Sequence, residues 1–271
     1  MVPVMSEKVR PQVAAKVEID GQPINLATLG ETIEAVVTSL KAGRGFSLFT
    51  LNMDHLVKLR SESAFREAYS RATFVTADGA PVVWLARRQG VALERTTGAD
   101  LFVPLCEAAA RAQIPVAFFG ASQSSLEAAA ARLRETIPGL DIRYVEAPAQ
   151  GFDPTSSAAC EAADRIAASG ARLCFVALGA PKQEYFSDVM LRRHPGIGFL
   201  GVGAAIDFVS GEQVRAPALF QRTGLEWFWR LATNPRRMFT RYARCALTLA
   251  SIALQDLRRR QAAPAVPSVN G

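Results

Sequence analysis

The sequence predicts an α/β protein built on a doubly wound, mostly parallel sheet. Short apolar runs rich in Val, Phe and Leu alternate with longer segments of helical period as far as residue 203. Such alternation is typical of βαβ units. From about residue 211 the strand signals stop, and an aromatic, arginine-rich helical segment follows. We therefore expect a helical, basic C-terminal appendage on the α/β body.

The predicted elements follow in order along the chain. "VEIDGQPINL" has an Asp-Gly turn between two short runs, which predicts a hairpin at the edge of the sheet. Six later apolar runs predict the strands of a Rossmann-like sheet: "FSLFTL", "TFVTA", "VAFFG", "DIRYVEA", "RLCFVALG" and "IGFLGVG". Helical periodicity predicts helices over residues 28–42, 53–70, 79–90, 98–112, 122–137, 154–169 and 181–193.

Composition places the chain among globular proteins with a sizeable core, since 49% of residues are hydrophobic and 21% are charged. We expect disordered ends at 1–15 and 261–271, an α/β catalytic domain at 16–210 and the appendage at 211–260. The four cysteines form no CxxC pair, which disfavours disulfides and zinc sites. No signal peptide or membrane-spanning run is evident, so we expect a cytoplasmic protein.

Three strand-to-helix junctions carry polar residues, and open α/β sheets bind ligands at that edge. At the first junction, Thr50, Asn52 and His55 follow a buried strand, although Asn52 could equally cap the next helix. At the second, Asp78 is either a helix N-cap or a reactive carboxylate.

Beyond the second junction, Arg95 precedes another helix, where Asp100 fits an N-terminal helix charge. The third junction, "VALGAPKQEYF", combines Gly179 with Pro181 at the expected first helical position. The following amides and Lys182 predict an anion site, with Gln183 and Glu184 pointing outward from the first turn.

Other catalytic signatures are missing from the sequence. "GVGAAIDFVSG" lacks the third glycine of a dinucleotide fingerprint, and Asp207 there is either a cap or a ligand contact. No GxSxG, HExxH or Asp-x-Asp pair occurs, so we expect no metal and no cofactor. A phosphate leaving group would then require arginines or helix termini.

The appendage has ten arginines against three acidic residues in 211–260, a local excess of +7. Arginines beside Trp and Phe suit an anionic membrane interface. Ordinary packing on the body is the alternative, and a nucleic-acid role lacks a matching basic surface on the body. If the appendage covers no core, cutting after Ser210 should leave a folded body.

Several blocks in order resemble the WecG/TagA/CpsF glycosyltransferases, glycosyltransferase family 26. The resemblance covers roughly residues 20–245 and rests on these blocks: "TLNMDHLV", "ADGAPVVW", "RTTGADL", "FFGAS", "GAPKQE", "GVGAAIDFVSG" and "GLEWFWRLATNPRRMFTRY". It implies an inverting, metal-independent enzyme that transfers a sugar from a UDP-sugar to a polyprenyl-diphosphate-linked saccharide. Such an enzyme would lie on the inner face of the bacterial plasma membrane and act in cell-surface or exopolysaccharide biosynthesis.

The resemblance also assigns roles to residues. It makes Asp78 the catalytic base, places Thr50 and Asn52 near the transferred sugar and places Gln183 beside sugar and diphosphate. Arginines of the appendage would complete the active site, and the candidates are Arg215, Arg222, Arg230, Arg236, Arg237 and Arg241.

One block departs from the family pattern. Asn52 is followed by Met-Asp-His rather than Pro-Glu, which resembles the exopolysaccharide branch and leaves the donor sugar open. Acceptor identity and homo-oligomer formation are open as well. Two rival hypotheses remain, a Rossmann-type oxidoreductase and a non-catalytic lipid-binding module.

Overall fold

The computed structural model describes residues 14–233 and 235–262. The side chains of Ala218, Arg222, Arg230 and Arg237, and of residues 259–262, lie outside the description. So do nearly all residues of the two ends that were predicted to be disordered. At the C-terminal end, the last helix reaches Ala262 and so enters the segment 261–271.

The eight predicted strands are all present. A hairpin precedes a six-stranded sheet of order β4-β3-β8-β7-β5-β6, in which every pair is parallel. The strands are β1 Val17–Ile19, β2 Gln22–Ile24, β3 Phe46–Leu51, β4 Phe74–Ala77, β5 Val116–Gly120, β6 Ile142–Glu146, β7 Leu173–Ala177 and β8 Gly198–Gly201. The predicted α/β fold with a parallel sheet is confirmed.

Helices cover both faces of this sheet and form the C-terminal segment. They are α1 Leu29–Lys41, α2 Met53–Ser61, α3 Ser63–Ser70, α4 Ala80–Arg88, α5 Gly98–Arg111, α6 Gln123–Thr136, α7 Ser157–Ala168, α8 Lys182–Arg193, α9 Ala205–Ser210, α10 Ala218–Arg222, α11 Glu226–Thr233 and α12 Pro235–Ala262. None of the described helices combines the length and apolar content needed to cross a bilayer.

The core is divided by the sheet because successive strand residues point to opposite faces. On one face, Phe118 contacts Phe102 of α5 with ring centroids 5.3 Å apart. On the other, the neighbouring Phe119 stacks on Phe186 of α8 at 4.7 Å. Central strands buried on both faces need continuous apolar runs, which is why the strands read so clearly in the sequence.

The N-terminal hairpin forms a separate two-stranded sheet rather than an edge of the main one. Its turn places both Asp20 and Gly21 at positive φ, as a tight hairpin of this type requires. It is joined to the main sheet through Asn25, whose side chain accepts from the amide of Val75 at 2.8 Å and donates to Thr73 O at 2.9 Å.

The segment 53–70 was predicted as one helix, and the structure breaks it at Glu62. That residue has extended dihedrals, φ −115° and ψ 108°. The break redirects the chain so that Phe65 and Tyr69 of α3 pack against His55 of α2, with ring centroids 5.5 and 5.9 Å apart. A hydrophobic period alone does not reveal such a change of direction.

Helix α12 packs on α2 and completes the core at that side of the body. Cys245 and Ile252 are buried in the same cluster as Leu56 and Phe65. Arg241 lies 3.1 Å from Asp54 across the contact, measured from Nε to Oδ1. The expectation of a folded body after a cut at Ser210 depended on an appendage that covers no core. Because α12 covers this cluster, that condition is not met, and such a cut would expose the cluster. The boundary near residue 211 remains a proposal.

Gly120 provides a stability test of the contact between β5 and β7. Its φ is +107°, and an added Cβ would lie 2.5 Å from the carbonyl carbon of Ala177. Gly139→Ala is the matched control, since Gly139 has φ +81° but open space around it. We expect Gly120→Ala to lower the free energy of unfolding by about 1–3 kcal/mol more than the control. Equal effects in urea unfolding would show that the sheet yields at this contact.

Candidate active site

The candidate site lies at the edge of the sheet where the carboxyl ends of β3, β4, β7 and β8 meet, and we call this region the cleft. Parallel pairing aligns Thr50 with Thr76 and Leu51 with Ala77, so the residues that follow both strands are neighbours. On its other side β3 pairs with β8, which leads to Gly203. The first and third predicted junctions thus share one edge of the sheet with Asp78.

Asp78 lies at the centre of the polar groups of this cleft. Its amide donates to Leu51 O at 2.8 Å, which holds the backbone against β3. Its Oδ2 accepts from Thr50 Oγ1 at 3.4 Å and from Asn52 Nδ2 at 3.3 Å. The side chain is half-buried. The three residues that the resemblance grouped together therefore converge in space.

The helix-cap hypothesis for Asp78 is wrong. The N-cap of α4 is Gly79, with φ 100° and no capping side chain, so Asp78 precedes the cap position. For Asn52 the capping hypothesis is confirmed, and its place near the transferred sugar stays a prediction. Its Oδ1 accepts from the amide of His55 at 3.0 Å and caps α2, while its amide nitrogen donates to Asp78. Capping thereby fixes the orientation of the group that contacts the carboxylate.

Gln183 joins two strand ends beneath the cleft. Its Nε2 donates to Glu184 Oε1 at 2.8 Å, and its Oε1 accepts from the amide of Gly203 at 3.2 Å. A Cβ on Gly201 would lie 2.6 Å from Gln183 Nε2. The Gly-x-Gly after β8 therefore leaves room for this glutamine, which is a different use from dinucleotide binding.

Gln183 and Glu184 were expected to point outward, and this expectation is wrong, because their exposed fractions are 6% and 1%. Glu184 and Tyr69 are polar residues next to the site that the sequence reading did not select. The signal for α8 was its period: Gln183, Phe186, Ser187 and Met190 share one buried helical face.

Glu184, His55 and Tyr69 form a buried polar group behind the cleft. Tyr69 Oη lies 2.6 Å from His55 Nδ1, and Glu184 Oε1 lies 3.9 Å from His55 Nε2. Burial lowers the pKa of His55 to about 3 and raises the pKa of Glu184 to about 7. Burial also raises the pKa of Tyr69 well above its usual range. His55 is thus a neutral residue below the cleft rather than one that lines it.

Arg95 and Arg215 meet in a closed ring of four charges. Glu226 accepts from Arg95 at 2.9 Å and from Arg215 at 3.2 Å. Asp100 lies 2.6 Å from Arg215 and 3.6 Å from Arg95. Burial alone would raise the pKa of Asp100, but the two arginines outweigh it and hold the pKa below its usual range.

This ring adjoins the cleft and holds the chain after residue 214 against the body. Thr96 follows Arg95 and donates its amide to Ala77 O at 2.8 Å, one residue before Asp78. Asp100 also forms a capping box with Thr97 at the start of α5, so the predicted helix charge is confirmed. The ring has no net charge, because two arginines face two carboxylates.

The remaining predicted residues have other contacts. Asp207 accepts from Ser125 at 2.7 Å and from Gln213 at 2.7 Å, which ties α9 to α6 and to the following segment. Lys182 donates to Phe152 O at 2.8 Å. Gly179 has φ +70°, and Pro181 is the N-cap of α8 rather than its first helical residue. The side chains of Arg222, Arg230 and Arg237 lie outside the described structure.

The buried carboxyl of Glu184 makes stability depend on pH. Its folded pKa of about 7 exceeds the ordinary 4.5, so its contribution to the free energy of unfolding falls as pH rises through that window. His55 has the opposite slope between about pH 3 and 6.5, because its folded pKa is lowered. Glu184→Gln removes only the first effect.

We therefore expect the stability of Glu184→Gln relative to the parent chain to rise between pH 5 and pH 7. The gain is up to about 1.4 kcal/mol per pH unit, measured by urea unfolding at each pH. Glu161→Gln on the exposed side of α7 is the control and should show no such trend. A difference that is constant across this range would mean that Glu184 is ionised throughout.

Comparison with known proteins identifies the family of this chain. Residues 17–263 match the profile of the Glycosyl transferase WecG/TagA/CpsF family. Over 201 residues the chain is 33% identical to the N-acetylglucosaminyldiphosphoundecaprenol N-acetyl-beta-D-mannosaminyltransferase of Bacillus spizizenii. That alignment covers 74% of this chain and 76% of the relative. The family match begins at the first residue of β1 and includes α12. The chain therefore belongs to the WecG/TagA/CpsF family of glycosyl transferases.

Proposed function

We propose that this chain transfers a sugar from a UDP-sugar to a polyprenyl-diphosphate-linked saccharide at the inner face of the bacterial plasma membrane. Family membership supports glycosyl transfer. The name of the Bacillus relative describes a lipid-diphosphate-linked acceptor, which supports the same acceptor class here. The observation that carries the proposal is the convergence of Thr50 and Asn52 on the half-buried carboxylate of Asp78.

Asp78 acts in this proposal as the general base of an inverting single displacement. The acceptor hydroxyl attacks the anomeric carbon of the donor, and its proton moves to the Asp78 carboxylate. The bond from that carbon to the UDP oxygen breaks, and UDP leaves with the electron pair. Thr50 and Asn52 donate hydrogen bonds to Oδ2 and so orient the carboxylate. Attack opposite to the leaving group inverts the anomeric carbon.

The departing diphosphate carries charge that must be compensated in the transition state. We propose that arginines do this without a metal ion. Arg95 and Arg215 are paired with carboxylates in the neutral ring, so a diphosphate must compete with Asp100 and Glu226 for them. The further candidates within residues 211–260 are Arg222, Arg230, Arg236, Arg237 and Arg241, of which Arg241 pairs with Asp54. The turn at 179–183 supplies backbone amides and Lys182.

The departure from the family pattern after Asn52 concerns residues outside the cleft lining. Met53 and His55 are buried, and Asp54 pairs with Lys58 and Arg241. These residues set the packing of α2 on α12 rather than contact with a donor. This block therefore does not indicate the donor sugar. From its resemblance to the exopolysaccharide branch, we propose that the chain acts in exopolysaccharide or other cell-surface biosynthesis.

Asp78→Asn tests the proposed base. The amide keeps the hydrogen-bonding shape but cannot accept the proton, so we expect turnover to fall by about 10²–10⁴-fold while UDP binding persists. Turnover is measured with a lipid-diphosphate acceptor and UDP binding by calorimetry. Asp141→Asn, at the start of β6, is the matched control and should keep full activity. Turnover of Asp78→Asn within a few-fold of the parent would remove Asp78 from the role of base.

A donor screen tests the reaction class. UDP-glucose, UDP-N-acetylmannosamine and its uronic acid are supplied with the acceptor in the presence of EDTA. We expect transfer from one of them, because arginines rather than a metal carry the charge of the leaving group. Binding of NAD instead of UDP would favour an oxidoreductase, and lipid binding with no transfer would favour a non-catalytic module. Activity that requires a divalent ion would contradict the arginine assignment.

Substitutions on the exposed face of α12 test the proposed membrane association. Leu247 and Leu254 lie two turns apart and are 73% and 55% exposed. We expect Leu247→Ser with Leu254→Ser to reduce pelleting with anionic vesicles, since apolar area enters the interface. Pelleting of the parent chain should also fall at high salt, which screens the arginines. Val214→Ser, at an 85% exposed position outside the helix, is the control. Equal pelleting of all three proteins would contradict this role of α12.

A further inference from the structure

An apolar groove runs between α4 and α12, beside the candidate active site. Its volume is about 470 Å³, within the range of about 300–1,000 Å³ found for small-molecule sites. Every lining residue is apolar, and Trp84 on one wall is 44% exposed. The lining residues are Ala80, Pro81, Trp84, Ala246, Leu249, Ala250 and Ala253.

The two walls of the groove are held by contacts outside it. Helix α12 is anchored by buried Cys245 and Ile252 on another face. At the end of α4, Arg88 donates to Asp256 at 3.1 Å and lies 5.0 Å from the centre of the Trp84 ring. The groove is therefore a fixed feature of the fold, and a charged pair lies next to its apolar wall.

The groove begins next to the candidate base. Ala80 and Pro81 are the first two residues of α4, directly after Asp78 and Gly79. From Ala246 to Ala253 the α12 wall extends about 10 Å at 1.5 Å per residue. A molecule with a hydroxyl group at Asp78 would therefore meet the apolar residues Ala80 and Pro81 first along α4.

We propose that this groove binds the first isoprene units of the acceptor lipid while the linked saccharide reaches Asp78. This inference rests on the proposed function, which requires an acceptor with an isoprenoid chain, a diphosphate and a sugar in that order. The apolar lining suits the chain, and the groove begins at Ala80 and Pro81, which closely follow Asp78 in the sequence. Leu247 and Leu254, the exposed leucines of α12, directly follow the lining residues Ala246 and Ala253 in the sequence.

In this proposal the alanines of α12 that line the groove keep it open for the lipid. Ala246, Ala250 and Ala253 share one helical face, and their small side chains leave the space opposite Trp84. A large side chain at Ala250 would fill that space. Ala131 is an exposed alanine of α6 and does not line the groove, so it offers a matched position.

The test compares Ala250→Trp with Ala131→Trp on two acceptors in solution without vesicles. One acceptor carries a farnesyl chain on the saccharide diphosphate, and the other carries a methyl group. The measured quantity is the ratio of kcat/KM for the two acceptors. Each methylene removed from water contributes about fourfold in affinity, so the parent chain should prefer the farnesyl acceptor by well over tenfold. Ala250→Trp should reduce this ratio at least about tenfold, and Ala131→Trp should not.

Trp84→Ser is a second variant that removes apolar area from the opposite wall without filling the groove. It should lower the same ratio, which keeps the test valid if Ala250→Trp folds poorly. A parent chain that shows no preference for the farnesyl acceptor would overturn the inference. A preference that neither groove variant reduces would also overturn it. If Ala250→Trp instead loses self-association while the ratio is unchanged, the groove binds a second copy of the chain, and the inference is again overturned. Failure of the parent chain to transfer to either acceptor would instead contradict the proposed function.

Discussion

Parallel pairing of β3 with both β4 and β8 is the constraint on which the rest of this site depends. All strands of the main sheet run in one direction, so their carboxyl ends lie at one edge. Thr50 and Asn52 lie 28 and 26 residues before Asp78 in the chain, and this alignment brings both within hydrogen-bond distance of its carboxylate. A slip of one residue between β3 and β4 would turn their side chains to opposite faces.

A second layer of polar residues supports this edge from below. Gln183 connects the start of α8 to Gly203 after β8, and the adjacent Glu184 faces the neutral His55. Burial of these groups costs free energy unless hydrogen bonds compensate it. Glu184 Oε2 has no hydrogen-bond partner among the described residues, which agrees with a raised pKa for this carboxyl. The residues packed behind the cleft, Gln183, Glu184 and His55, are therefore polar as well as buried.

The C-terminal segment both completes the core and borders the cleft. Cys245 and Ile252 of α12 enter the core, while the ring of Arg95, Asp100, Arg215 and Glu226 holds the segment before α12 near β4. The turn at Gly224 lies against Ala80, where an added Cβ would meet the Ala80 Cβ at 2.7 Å. Membrane association and catalysis can therefore be linked by the same segment, because its position relative to Asp78 is fixed by packing. We propose this link as the reason for the basic, aromatic composition of the segment.

The sequence by itself determined the strands, most helices and the identity of the polar junctions. Buried parallel strands require apolar runs, and capping requires particular side chains, so both leave local patterns such as "FSLFTL" and the Thr97–Asp100 box. Only the tertiary structure decided that Gln183 and Glu184 are buried, that His55 lies beneath the cleft, and that Arg95 and Arg215 share two carboxylates. It also decided that α12 packs against the core through Cys245 and Ile252. These features depend on contacts between residues far apart in the chain. The period of α8 indicates that the helix has a buried face, but it does not indicate which distant residues Gln183 and Glu184 contact there.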